Sequence, residues 1–253
     1  MWYWTKVLFL ILTGALAVWL AYEIFTFPNV AKLRTENPTT SSMIEHRLSE
    51  AKANGTELRK YQIWTPIEQI SPHLQRAVLA GEDSNFFTHD GFDWKAIEKA
   101  WDEGRAEAEK EAKAEGETTE DDWIPPMPNF KRGASTVSQQ LAKNLYLSEE
   151  RSFLRKGREA LITHFLEKEL SKKRILELYL NIIEWGDGVY GAEAASRYYF
   201  KKSASNLNAQ EAAYLSAMIP SPLNVFNAKK NPKRVARRQK VIARGMNHVK
   251  LNY

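Results

Sequence analysis

The chain contains no cysteine. Disulfides, thiol nucleophiles and thiolate metal sites are therefore excluded. The absence is compatible with an oxidising compartment without requiring one. No strand alternation persists along the chain, and no internal repeat is visible. The stretch from Gly104 to Glu120 has almost no large apolar residue. Built of Ala, Glu, Lys and Gly, it has no face to bury and reads as a solvated helix or a mobile loop. Trp123-Ile124-Pro125-Pro126-Met127-Pro128 closes it as a semi-rigid extended stretch.

What is present narrows the reading. The 253 residues, 43% of them hydrophobic, suffice for one domain with an appendage. A formal net charge of +5 points to an anionic partner: nucleic acid, a membrane surface or a phosphorylated substrate. The N-terminus chooses among these. Val7 to Tyr22 is an apolar run, extended by Ile24, Phe25 and Phe27 past a single Glu23. That is close to the roughly 20 residues a spanning helix needs. Trp2, Tyr3 and Trp4 stand at one end, Trp19 and Tyr22 near the other, as interfacial aromatics do. Lys6 precedes the run and Glu23 follows it, so the positive-inside rule places the N-terminus in the cytoplasm. A cleaved signal peptide ending near Ala15-Leu16-Ala17 is the alternative, although the apolar run continues through that site. Either way the main domain is exported, and no nucleic-acid partner is expected.

Residues 1–28 thus form a cytoplasmic tip and membrane anchor, 29–60 a polar linker, and 61–253 the folded domain, with a mobile acidic insertion at 104–129. Within the linker, Met43 to Ala53 could form a short helix. Ser71-Pro72 opens a helix, with Ser as N-cap and Pro at the first helical position. Leu74, Ala77 and Val78 follow at helical spacing, and that helix delivers Glu82 at its end. Ile175, Leu178, Tyr179, Ile182 and Ile183 form one apolar stripe, which Gly186, Gly188 and Gly191 end in a loop. Asn208 and Glu211 make a capping box, and a basic amphipathic helix follows Pro232. The fold class is mainly α.

Three segments carry chemistry. Glu82-Asp83-Ser84-Asn85-Phe86-Phe87-Thr88-His89-Asp90-Gly91 sets an acidic pair beside aromatics. A carboxylate in an apolar wall has its pKa raised and suits proton abstraction; a solvated helix end is the bland alternative. His89 reads as a structural hydrogen-bonding residue and Gly91 as a turn position. In Gly133-Ala134-Ser135-Thr136-Val137-Ser138-Gln139-Gln140-Leu141-Ala142-Lys143-Asn144, Thr136 and Gln139 form a capping box. Gln139, Gln140 and Lys143 share one face, and a lysine one turn into a helix marks an anion site. In Arg151-Ser152-Phe153-Leu154-Arg155-Lys156-Gly157-Arg158-Glu159, Arg155 stacks over Arg158 and Glu159. Such a run is either a solvated face or a cation cluster able to hold a diphosphate.

In this order the segments resemble the first three motifs of glycosyltransferase family 51, the peptidoglycan glycosyltransferases. Lys173, Ile175-Leu176-Glu177, Tyr179-Leu180-Asn181, Gly186 and Gly191 match a fourth motif, and Arg238, Val241-Ile242 and Met246 loosely match a fifth. The resemblance covers about Tyr61 to Met246. Ala134 stands where a second glycine is commoner. With no length after Tyr253 for a transpeptidase domain, the monofunctional biosynthetic type is expected.

The resemblance implies a lysozyme-like helical domain on one transmembrane helix, in the bacterial inner membrane, with the catalytic domain periplasmic. It implies polymerisation of lipid II into β-1,4-linked strands with inversion and release of undecaprenyl diphosphate. Glu82 would be the general base. Lys143, Arg151, Arg155 and Arg158 would hold the diphosphate, and Asp83, Gln139 and Gln140 would position substrate. Glu159 would either orient those cations or bind a divalent metal, Mg or Mn; no other cofactor is implied. Implied partners are lipid II, the growing lipid-linked strand, the membrane, and other cell-wall synthesis or division proteins. Two rival readings stand beside it. A muramidase or lytic transglycosylase shares the fold and a glutamate but has no use for the Lys-Arg cluster. A non-catalytic membrane adaptor explains the anchor but not the Glu82 segment.

Overall fold

The computed structural model describes residues 2–57, 60–114, 135–148 and 152–253. Helix α1 (Trp2–Phe25) is long and apolar enough to cross a membrane, and nearly all its described side chains are exposed. A 3-10 turn at Val30–Arg34 and helix α2 (Ser42–Ala53) follow. Within the expected linker, 29–60, the segments Val30–Arg34 and Ser42–Ala53 are in fact packed on the body. Val30, Leu33 and Ile44 are buried. The Ser42 hydroxyl donates to the Leu145 carbonyl, and Arg34 pairs with Glu169 at 2.6 Å. Three scattered apolar anchors make no stripe, which is why periodicity did not reveal them.

Strand β1 (Tyr61–Gln62) leads to α3 (Pro72–Glu82), where the Ser71 hydroxyl accepts from the His73 N–H and caps the helix as expected. Helix α4 (Trp94–Ala114) makes the first part of the alanine-glutamate run helical. The rest of that run, Trp123–Pro128, Gly133 and Ala134 lie outside the described residues. Helices α5 (Val137–Tyr146), α6 (Phe153–Glu169) and α7 (Lys172–Ile182) come next. The loop expected after α7 is instead a hairpin of β2 (Glu184–Gly186) and β3 (Val189–Tyr190). Its strands, two and three residues long and buried throughout, are too short to show an alternation. The sheet order is β1-β3-β2, with β1 parallel to β3 (Tyr61 opposite Val189) and β2 antiparallel to it (Glu184 opposite Tyr190). Helices α8 (Ala192–Phe200), α9 (Ala209–Met218) and α10 (Pro232–Gly245) complete the chain. Asn208 and Glu211 form the expected capping box at α9.

Two helical layers make the core. Helix α3 packs on α9 and α10, and α5 packs on α6 and α7. Each fully buried Leu or Ile, such as Leu74, Leu141 and Ile162, contributes about 1.5–3 kcal/mol. Gly81 permits the close approach in the first layer. A Cβ there would lie 2.9 Å from Ser216 Oγ and 3.1 Å from Ile242 Cδ1. The next residue is Glu82, so this contact fixes where the carboxylate stands between the layers.

Candidate active site

Glu82 ends α3 with its side chain only 7% exposed. Its Oε2 accepts from Gln140 Nε2 at 2.9 Å, and its Oε1 accepts from Arg238 of α10, also at 2.9 Å. Burial raises the carboxyl pKa above the ordinary range; the Gln140 amide and the Arg238 charge oppose that rise. Tyr179, wholly buried on α7, donates to the Gln140 carbonyl oxygen at 2.8 Å and orients the amide so that its NH₂ faces Glu82. Burial, reinforced by Glu82 and Asp83, holds the Tyr179 hydroxyl well above its usual pKa and keeps it a donor. The phenol, amide, carboxylate and guanidinium thus form one chain across both layers.

Asp83 and Gln139 do other work than expected. The Asp83 carboxylate bonds His89 Nε2 at 3.0 Å and accepts from the Val137 N–H, at the first turn of α5, at 2.9 Å. A carboxylate at a helix N-terminus is favoured by the backbone dipole. Asp83 therefore ties the Glu82 loop to the helix carrying Gln140 and Lys143. Gln139 is buried, and its side-chain oxygen accepts from the Thr136 N–H in the capping box. Both residues position α5 rather than face the cleft. Gly91 (φ +90°) makes the turn between the segments, and its carbonyl accepts from the Thr136 hydroxyl.

Gln140, Tyr179 and Lys143 line a cavity of about 220 Å³. The α6 cluster divides. Glu159 is 3% exposed, and its two oxygens pair with Arg155 at 3.0 Å and Lys156 at 2.5 Å. Arg158 turns away to Glu23 of α1 at 2.8 Å and to the Thr26 carbonyl. Arg151 lies outside the described residues. Of the two roles open to Glu159, the described geometry shows the pairing that the orienting one needs. Each of its oxygens pairs with one cation, and among the described residues no group of three His, Asp or Glu able to hold a metal occurs.

Arg238 and Lys172 were not assigned to the site from the sequence. Arg238 figured only in a loose match and a basic helix, yet it stands between Val235 and Ile242 on the buried face of α10. A cation at that spacing within an apolar stripe was a legible signal. Lys172, not its neighbour Lys173, joins the fourth motif to the site. Its ammonium donates to the His89 carbonyl and pairs with Glu167, which also accepts from Ser138. Lys173 pairs with the exposed Glu68 instead.

The geometry now has its counterpart among known proteins. Residues 50–119 and 126–247 match the transglycosylase family model. The chain belongs to the transglycosylase family. It is 40% identical over 247 residues to a biosynthetic peptidoglycan transglycosylase of Chromobacterium violaceum, covering 98% of this chain and 99% of that one. A protein of the same description from Laribacter hongkongensis is 40% identical over 235 residues, 92% of this chain and 93% of the relative. Another, from Nitrosospira multiformis, is 42% identical over 221 residues, 87% of this chain and 85% of the relative. The chain is accordingly an enzyme of the glycosyltransferase type with the lysozyme-like helical fold of its family. The match is interrupted only at 120–125, a shorter break than the insertion expected at 104–129.

Proposed function

We propose that the protein is a peptidoglycan glycosyltransferase that polymerises lipid II into β-1,4-linked strands. The acceptor 4-hydroxyl attacks the anomeric carbon of the donor sugar and gives its proton to the Glu82 carboxylate. The bond from that carbon to the lipid diphosphate breaks, inverting the centre, and undecaprenyl diphosphate leaves. The observation that carries this reading is the buried, proton-avid Glu82 held by Gln140 beside a cavity lined by Lys143. General base catalysis works best with a pKa near the working pH, and burial moves Glu82 in that direction. Lys143 and Arg155 hold the departing diphosphate, where fixed cations act more on the transition state than on the ground state. Glu159 keeps Arg155 aimed by pairing with it.

Helix α1 is the anchor in this reading, with the N-terminus cytoplasmic and the domain in the periplasm. The Glu23–Arg158 pair ties α6 to the outer end of the anchor, and Phe153, Leu154 and Leu161 on the same helix are exposed. In this reading α6 lies at the membrane surface, beside the lipid diphosphate, and that pair and those exposed apolar residues support it. The test is incubation of the detergent-solubilised protein with labelled lipid II. Polymer on a gel is expected from the wild type and not from Glu82→Gln. Release of soluble muropeptides from sacculi would instead favour a hydrolase.

A further inference from the structure

An apolar groove of about 720 Å³ lies between the anchor helix α1 and α6. Leu20 and Ile24 line it from α1, and Leu154, Leu161 and Phe165 from α6. Those three α6 residues recur at helical spacing, so one stripe of the helix faces the anchor. The walls meet where Phe27, just beyond α1, packs edge to face on Phe165 with ring centroids 5.2 Å apart. The Glu23–Arg158 pair lines the groove as well. An ion pair is costly in hydrocarbon, so it marks the level at which water begins. The groove therefore lies where the head group of a lipid meets its chain.

Gly157 stands in the same wall. Inside a helix glycine is the least favoured residue after proline, and close packing is the usual reason for keeping one. Gly81 is such a case and Gly157 is not. A Cβ at Gly157 would meet nothing within 4 Å, and the backbone there has no positive φ. No neighbour in the chain calls for the glycine; what its missing side chain leaves open is the groove.

We infer that this groove is the subsite for the prenyl chain of the lipid-linked substrate, with Gly157 as the specificity-determining residue that keeps it open. The inference rests on the reading above, which puts the diphosphate at Lys143 and Arg155. Arg155 follows Leu154 directly on α6, so a chain leaving that diphosphate begins beside the groove wall. Bilayer phospholipid would wet the same walls, but only the substrate's chain is tied to a head group that Arg155 holds. A prenyl chain also carries a methyl branch on every unit and is wider than a straight acyl chain. A wall without a side chain at position 157 gives that width.

The test uses the full chain in detergent micelles and steady-state polymerisation of two forms of lipid II, one with the full prenyl chain and one with a short stub of it. Gly157→Leu puts a branched side chain into the groove. It should raise KM for the long-chain substrate about tenfold, equivalent to about two methylene groups left unburied, with kcat within about twofold. For the short-chain substrate KM should stay within about twofold of wild type. Leucine is a better helix former than glycine and meets no neighbour, so the melting temperature should hold or rise. Should Gly157→Leu nonetheless fail to fold, Leu161→Gln decides in its place, since it makes the wall polar without filling it. A penalty of equal size on both substrates would put the effect at the head group and overturn the inference. Unchanged KM on both would leave the groove to bilayer lipid or a second copy of the chain, and overturn it too. A wild type that polymerises neither substrate brings down the functional reading and this inference together. Polymer from the wild type, with a variant that ignores chain length, brings down only this one.

Discussion

Glu82 and Glu159 are both deeply buried acids on neighbouring layers, but their company differs. Glu82 has one neutral amide and one guanidinium, and burial dominates its titration. Glu159 has two cations, one on each oxygen. A carboxylate paired with a guanidinium on one oxygen and an ammonium on the other serves as their clamp. Glu82, which shares its shell with an amide and a single cation, has its pKa raised by burial against their opposing pull.

Exchanging each acid for its amide breaks the comparison most directly. Glu82→Gln keeps the shape and removes the proposed base, so polymerisation should fall by about 10²–10⁴ while the melting transition survives. A gel showing near wild-type polymer would end the assignment. Glu159→Gln should act first on stability. It leaves Arg155 and Lys156 without a counter-charge, at a cost of about 1–3 kcal/mol, read as a lowered denaturant midpoint. The low end of that range applies to Lys156, which is half exposed. Residual activity in Glu159→Gln should keep the wild-type pH profile.

The pH profile sharpens the contrast further. If Glu82 is the base as proposed, activity should fall as pH drops through a value above the ordinary carboxylate range. Stability moves the other way. The folded state binds this proton more tightly than the unfolded chain, so the residue's contribution declines as pH rises from the ordinary glutamate value to the raised one. Gln140→Leu and Arg238→Ala each remove a group that favours the ionised form, and the acid limb should shift to higher pH in both. An unmoved limb would mean that neither group tunes Glu82.

The smallest effect concerns the basic helix. Lys229, Lys230, Lys233, Arg234, Arg237, Arg238 and Lys240 read in sequence as one lipid-binding set. Arg238 leaves that set, because it is committed to Glu82. Of the α10 cations, Lys233, Arg234, Arg237 and Lys240 are exposed, each worth about 1 kcal/mol at an anionic surface. Arg237→Ala should weaken salt-sensitive binding to anionic liposomes without moving the acid limb. Arg238→Ala should do the reverse. Equal effects of both on liposome binding would erase the distinction.

Local chemistry made much of this molecule legible. The apolar run of α1, the Ser71-Pro72 start of α3, and the capping boxes at Thr136 and Asn208 depend on residues within four positions of one another. Such features survive in a linear reading, as does a motif whose acid and amides are named in order. Pairings across the fold do not. Nothing local distinguishes Arg238 from the cations around it until α10 packs on α3 and turns it toward Glu82. Nothing in Asp83 announces that it caps a helix 54 residues on, or in Arg47 that it reaches Glu184. Backbone propensity and capping are short-range, so the sequence by itself determined most of the helices, the membrane-length apolar run and the family. Which acid is left proton-avid and which is clamped depends on charges brought together from distant positions, and only the tertiary structure decided that.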